Sequence, residues 1–137
     1  MARILVIDDN QLVRDTLKAV LLSVGHKIAF AADGEEGLRA YHEFCPAVVM
    51  TDILMPKKEG IETIKDLRKI SASVPIIAMS GGGRVGNLEY LEMALRFGAN
   101  RTISKPFELE EVIEIVAGLL EEAVLPSTAL EPGSQSC

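Results

Sequence analysis

"RILVIDDNQLVRDTL", residues 3–17, runs four apolar residues straight into two adjacent carboxylates, Asp8 and Asp9. Like charges side by side at the end of a buried strand repel one another and resist desolvation. Either a loop lets water solvate them, or the chain needs concentrated negative charge at that point. Past the pair, Val13, Leu17, Val20, Leu21 and Val24 recur at spacings of three and four, which predicts a helix with Asp9 or Asn10 as its cap and Gly25 at its end.

The strand-then-helix unit repeats. Short apolar runs predict strands at Ile4–Asp8, Lys27–Ala31, Ala47–Asp52, Pro75–Ser80 and Arg101–Ser104. A second helix follows Gly34, with Leu38 and Tyr41 on one face, and a third starts near Gly60, where Ile61, Ile64 and Leu67 recur. A fourth starts near Gly86 with Leu88, Leu91 and Leu95 facing inward, and Gly98 closes it. In the last, Leu109, Val112, Ile113, Val116, Leu119 and Leu120 form one stripe. Five such units imply an α/β fold, a parallel sheet with helices on both faces. "ILVI", "AVVM" and "PIIAM" are apolar without alternation, as strands covered on both sides are, whereas "RTIS" reads as an edge. Periodicity stops after Ala123, so one domain is expected over residues 1–122 and a disordered tail over 123–137.

Composition agrees with a single globular domain: the 137 residues are 48% hydrophobic and 25% charged. A net charge of −6 argues against direct nucleic-acid binding, which leans on basic patches, and is compatible with binding cations. Cys45 and Cys137 are far apart in sequence with no metal-ligand spacing, so neither a disulfide framework nor a zinc site is expected. No apolar run reaches the roughly 18 residues of a membrane span and no signal-peptide pattern opens the chain, so a cytoplasmic location is expected.

In an open parallel sheet, ligands bind beyond the carboxyl ends of the strands. There the first strand ends in Asp8-Asp9, the third in Asp52, the fourth in Ser80 and the fifth in Ser104-Lys105. Three carboxylates, a hydroxyl and an ammonium thus converge on one edge. Clustered carboxylates raise one another's pKa unless a cation sits among them, and hard oxygen ligands with open water positions suit Mg²⁺. A carboxylate can act as the covalent nucleophile toward phosphorus while a metal withdraws charge. These residues suggest Mg²⁺-assisted phosphoryl transfer onto an aspartate, with Asp52 the nucleophile candidate. Each residue also has a plainer reading: Asp9 as a helix cap, Asp52 in a turn, Ser80 as a loop hydroxyl, Lys105 as a solvated lysine. Their joint occurrence favours the site.

The ordered set Asp8-Asp9, "DILMPKKEG" with Asp52, Met55, Pro56 and Gly60, then Ser80, Gly98-Ala99 and "KPF" at Lys105 to Phe107 resembles a response-regulator receiver domain over roughly residues 3–122. The resemblance implies a flavodoxin-like (βα)5 sandwich with strand order 2-1-3-4-5, the order of the chemotaxis receiver. It implies that Asp52 accepts a phosphoryl group from the phosphohistidine of a sensor histidine kinase or phosphotransfer protein. Asp9, Asp52 and the backbone carbonyl of Leu54 would bind Mg²⁺, with Asp8 acting mainly through water. Lys105 would contact the phosphoryl oxygens and Ser80 would be the switch hydroxyl. The output would be a protein-interaction surface on the fourth helix, fifth strand and fifth helix, for a downstream protein or a homodimer. Such a chain is a phosphoacceptor signalling protein, not an enzyme with a separate substrate.

Two departures stand out. Thr102 occupies the position where the family usually has an aromatic that turns inward, so a switch must run through backbone movement or another side chain. "SGGGRVGN" makes the segment after Ser80 glycine-rich, and a mobile loop is expected over residues 81–87. Gly81, Gly83 and Gly86 also spell a G-x-G-x-x-G. That motif follows the fourth strand, however, and no ribose-binding acid stands about 20 residues later. A haloacid-dehalogenase-type phosphohydrolase is a further alternative, but Asp8-Asp9-Asn10 lacks its D-x-D arrangement. A receiver used as a binding module without phosphorylation is the third. Both a stand-alone messenger and a piece of a larger regulator are compatible with the sequence.

Overall fold

The computed structural model describes residues 2–53, 60–81 and 87–123. Within them, strands and helices alternate: β1 (Arg3–Ile7), α1 (Gln11–Ser23), β2 (Lys27–Ala31), α2 (Gly34–Phe44), β3 (Val48–Asp52), α3 (Gly60–Ile70), β4 (Ile76–Ser80), α4 (Asn87–Phe97), β5 (Arg101–Ser104) and α5 (Leu109–Ala123). The strands form one sheet in the order β2-β1-β3-β4-β5, every pair parallel. This is the flavodoxin-like arrangement expected, with "RTIS" on the edge.

The strands lack alternation because two cores need them. Leu5, Ile7, Val49, Ile76 and Ala78 pack with Tyr41, Ile64, Leu67, Leu91 and Ala94 on one face of the sheet. Ile4, Val6, Val48, Met50, Ile77, Met79 and Ile103 pack with Leu17, Leu21, Val112, Val116 and Leu119 on the other. Each large side chain removed from water contributes roughly 1.5–3 kcal/mol, which makes these layers the main source of stability.

Local chemistry fixes the helix ends. Asn10, not Asp9, caps α1: its side chain accepts from the Val13 N–H at 3.1 Å. At the other end Gly25 takes φ +91°, its N–H donates to Leu22 O and the His26 N–H donates to Leu21 O, which satisfies two terminal carbonyls. Gly98, at φ +128°, closes α4 in the same way, with Gly98 N–H to Leu95 O and Ala99 N–H to Ala94 O.

Three differences from the expected pattern have simple causes. β1 spans Arg3–Ile7 and stops one residue before Asp8, whose carbonyl is turned to the Arg14 side chain instead of a strand neighbour. Among the described side chains of α4 the inward positions are Leu91 and Ala94; Leu95 lies about 100° further round the helix and is 47% exposed, while the Leu88 side chain lies outside those described. Leu109 opens α5 before the helix has settled on the sheet and is 45% exposed, so the buried stripe begins at Val112. Leu54, Met55 and Pro56, most of the glycine-rich stretch (residues 82–86) and the tail from residue 124 lie outside the described residues.

Arg68 joins three elements at the end of the sheet remote from the acidic pair. Its Nε and Nη2 donate to Gly98 O at 3.0 and 2.8 Å, Nη1 donates to Ser71 O at 3.1 Å, and Nη2 also reaches Asn100 Oδ1 at 2.9 Å. Asn100 Oδ1 in turn accepts from the Ile76 N–H, the first residue of β4. One guanidinium thereby ties the C-terminal ends of α3 and α4 to the start of β4.

His26 gives the fold a titration. Its Nδ1 accepts from the Ala2 N–H at 3.1 Å, and partial burial, then the nearby N-terminal charge, lowers its pKa below the usual value. Because the unfolded chain binds this proton more readily, the His26 contribution is complete above the unfolded value of about 6.5 and is lost as pH falls through the lower folded pKa. Between about pH 7 and pH 5 the wild-type melting temperature will drop more steeply than that of His26→Gln. Parallel slopes would remove this role.

Candidate functional site

The carboxyl edge of the sheet collects what the strand order brings there. Asp8 follows β1, Asp52 ends β3, Ser80 ends β4 opposite Ser104 of β5, and Lys105 follows directly. Oxygens of Asp8, Asp9 and Asp52 lie within 4.8 Å of one another. Asp8 is fully buried and Asp52 nearly so, while Asp9 is exposed.

Lys105 spans the cluster. Its Nζ lies 2.7 Å from Asp8 Oδ2 and 3.6 Å from Asp52 Oδ2, and its side chain is largely buried. The backbone supports that reach, since the Lys105 N–H donates to Ser80 O at 2.7 Å and extends the β4–β5 pairing. The Lys105–Pro106 peptide is cis. Asp8 Oδ1 accepts from the Asn10 N–H at 2.8 Å, so both oxygens of the buried carboxylate are engaged. An unpaired buried carboxylate costs several kcal/mol; here an ammonium and an amide offset that cost.

Three carboxylates against one ammonium still leave net negative charge on a partly dry edge. An all-oxygen donor set with one exposed carboxylate fits a small hard divalent cation such as Mg²⁺ better than a soft metal. Ser80 is buried, and its hydroxyl donates to Gly81 O at 3.4 Å, a long contact that costs little to exchange. Thr102, opposite Ala78 in the β4–β5 register, is half-buried on the edge strand.

Asp8, Asp9, Asp52 and Lys105 thus come together and Ser80 sits on the adjoining strand end; Leu54, expected to offer a carbonyl, lies outside the described residues. Two features escaped the sequence reading. Arg14, in the first turn of α1, donates from Nη1 to the Asp8 carbonyl at 2.7 Å. An apolar depression lined by Leu12, Val13, Thr16, Lys105, Pro106 and Phe107 adjoins the cluster, with Leu12 73% exposed. A helical arginine six residues past a strand-end acid was the available signal for the first.

Residues 4–117 match the response regulator receiver domain family. The chain is similar to the chemotaxis protein CheY of Thermotoga maritima, 34% identical over 113 residues covering 82% of this chain and 92% of that one. It is also 35% identical over 128 residues to a probable transcriptional regulator ycf27 of Guillardia theta, covering 91% of this chain but only 49% of the regulator's length. Among solved structures, a response regulator receiver domain protein from Clostridium thermocellum superposes with a TM-score of 0.83 at 29% identity, over 90% of this chain and 97% of that one. Against several of the curated relatives, then, the chain spans about half their length.

Proposed function

The chain belongs to the response regulator receiver domain family, and from that premise we propose that it accepts a phosphoryl group on Asp52 from the phosphohistidine of a sensor histidine kinase or phosphotransfer protein, in the cytoplasm. The observation that carries this reading is the Lys105 ammonium set between buried Asp8 and Asp52, with the Asp9 carboxylate open to water beside them. Asp9, Asp52 and the Leu54 carbonyl would hold Mg²⁺. Asp8, with both oxygens engaged, is left to act through water. Mg²⁺ bound there supplies charge withdrawal from carboxylate and phosphoryl oxygens.

In the transfer, an Asp52 oxygen forms a bond to phosphorus as the P–N bond to the donor histidine breaks and its electron pair returns to the ring nitrogen. Lys105 is near enough to Asp52 to pair with a phosphoryl oxygen, and Ser80 exchanges its long contact to Gly81 for a second one. The apolar depression at Leu12 and Phe107 supports docking of the donor beside Asp52. Phosphorylation adds about 1.5–2 negative charges at this edge, enough to bias two surface conformations.

The readout lies on α4, β5 and α5, where exposed Leu95 and Leu109 support a protein contact, with a downstream protein or a second copy. Thr102 offers no ring to turn inward, so backbone movement or another side chain carries the switch. The chemistry is confined to the chain's own aspartate, which makes it a signalling protein and not an enzyme with a separate substrate. Incubation with a small phosphodonor tests the proposal: intact mass should rise by one phosphoryl group with Mg²⁺ and stay unchanged with EDTA. No gain in either condition would overturn it.

A further inference from the structure

We infer that Arg14 is a positioning residue for cation binding, acting through the Asp8–Asp9 peptide; the inference rests on the reading of the acidic edge as a Mg²⁺ site. Every polar group of Asp8 is engaged. Its N–H donates to Ala31 O at 3.0 Å, Oδ1 accepts from Asn10 N–H, Oδ2 accepts from Lys105, and its carbonyl accepts from Arg14 Nη1 at 2.7 Å. The last bond is the one the sheet no longer supplies, because β1 ends at Ile7.

The Asp8 carbonyl and the Asp9 N–H belong to one planar peptide, so fixing the first fixes the plane from which Asp9 departs. On the far side of Asp9, Asn10 is held as the cap of α1: its side chain accepts from Val13 N–H and its carbonyl from Arg14 N–H at 3.1 Å. Asp9 therefore sits between two pinned backbone segments. Its own carboxylate is exposed, and among the described residues no hydrogen bond or ion pair reaches it. Where that carboxylate lies is set by the backbone, and Arg14 sets the backbone.

Charge alone and positioning predict opposite signs. A guanidinium beside three carboxylates repels an incoming cation, so if Arg14 acted only through its charge, its removal would tighten Mg²⁺ binding. If it positions Asp9, removal weakens binding, as loss of a support behind a metal ligand does.

Calorimetric titration of the full chain with Mg²⁺ decides between them. Arg14→Met should bind roughly tenfold more weakly than wild type, whereas Arg14→Lys, which keeps a charged donor of similar reach, stays within about threefold. The Mg²⁺ concentration for half-maximal labelling by a small phosphodonor should rise in parallel, with the rate at saturating Mg²⁺ near wild type. A cooperative melt in EDTA identifies a folded variant, and Arg14→Gln serves if Arg14→Met does not fold. Unchanged or tighter binding by the neutral variants overturns the role of Arg14 while leaving the Mg²⁺ site intact. Failure of the wild type itself to bind Mg²⁺ overturns both.

Discussion

Asp52→Ala will take up no phosphoryl group under conditions in which the wild type gains one, and intact-mass measurement of the two proteins side by side is the check. The expectation is of complete loss because neither neighbour can stand in. Both Asp8 oxygens are committed, to Lys105 and to the Asn10 N–H, in a fully buried position. Asp9 is open to water, without the ammonium that Asp52 has 3.6 Å away to neutralise an incoming phosphoryl oxygen. Equal labelling would remove Asp52 from the chemistry. The same variant carries a second signature: with one of three mutually repelling carboxylates gone, Lys105 pairs with Asp8 alone. Asp52→Ala should then melt at a higher temperature than wild type in EDTA.

Gly60→Ala should cost at least about 3 kcal/mol, one of the largest effects available to a single methyl group in this chain. Gly60 opens α3, and its N–H donates to Ile53 O at 3.1 Å. A Cβ there would lie 2.1 Å from the Asp52 carbonyl oxygen and 2.3 Å from Ile53 Cα. Both obstacles are backbone, so no side chain can swing aside. Either α3 lifts from the sheet or the Asp52–Ile53 segment moves, and the second displaces the Asp52 carboxylate as well. A fall in melting temperature of roughly 10 °C or more is expected. Gly118→Ala is the matched control: its Cβ meets nothing within 4 Å on the interior of α5, and the change should stabilise by about 0.5–1 kcal/mol. Similar stability in the two variants would refute the close approach at Gly60.

The sequence made the sheet legible because strands buried on both faces have a distinctive composition. "ILVI", "AVVM" and "PIIAM" admit no alternation, and five strand runs in all, interleaved with helical stripes, leave few topologies. The gathering of Asp8, Asp52 and Lys105 followed from topology alone, since in a parallel sheet all strand ends share one edge. Helix faces were less legible. Leu95 and Leu109 fit an apolar spacing yet are exposed, because periodicity records which residues align and not how far the partner surface extends. Asp9 and Asn10 were equal candidates for the cap; hydrogen-bond geometry chose Asn10. Arg14 stayed hidden because its partner is a backbone carbonyl, and such groups leave no mark on residue type.

The knot made by Arg68 has a mechanical outcome. α4 is clamped at Gly98 by two guanidinium bonds, and its opposite end begins seven residues after Ser80. Anchored at Gly98, and packed through Leu91 and Ala94, α4 has its firmest hold at the Arg68 end. With 11 residues, α4 is about 16 Å long, so a tilt of about 10° about the Arg68 end would shift the Asn87 end by roughly 3 Å. A displacement of α4 would therefore grow in amplitude with distance from Arg68, being largest at the end that lies nearer Ser80 in the chain.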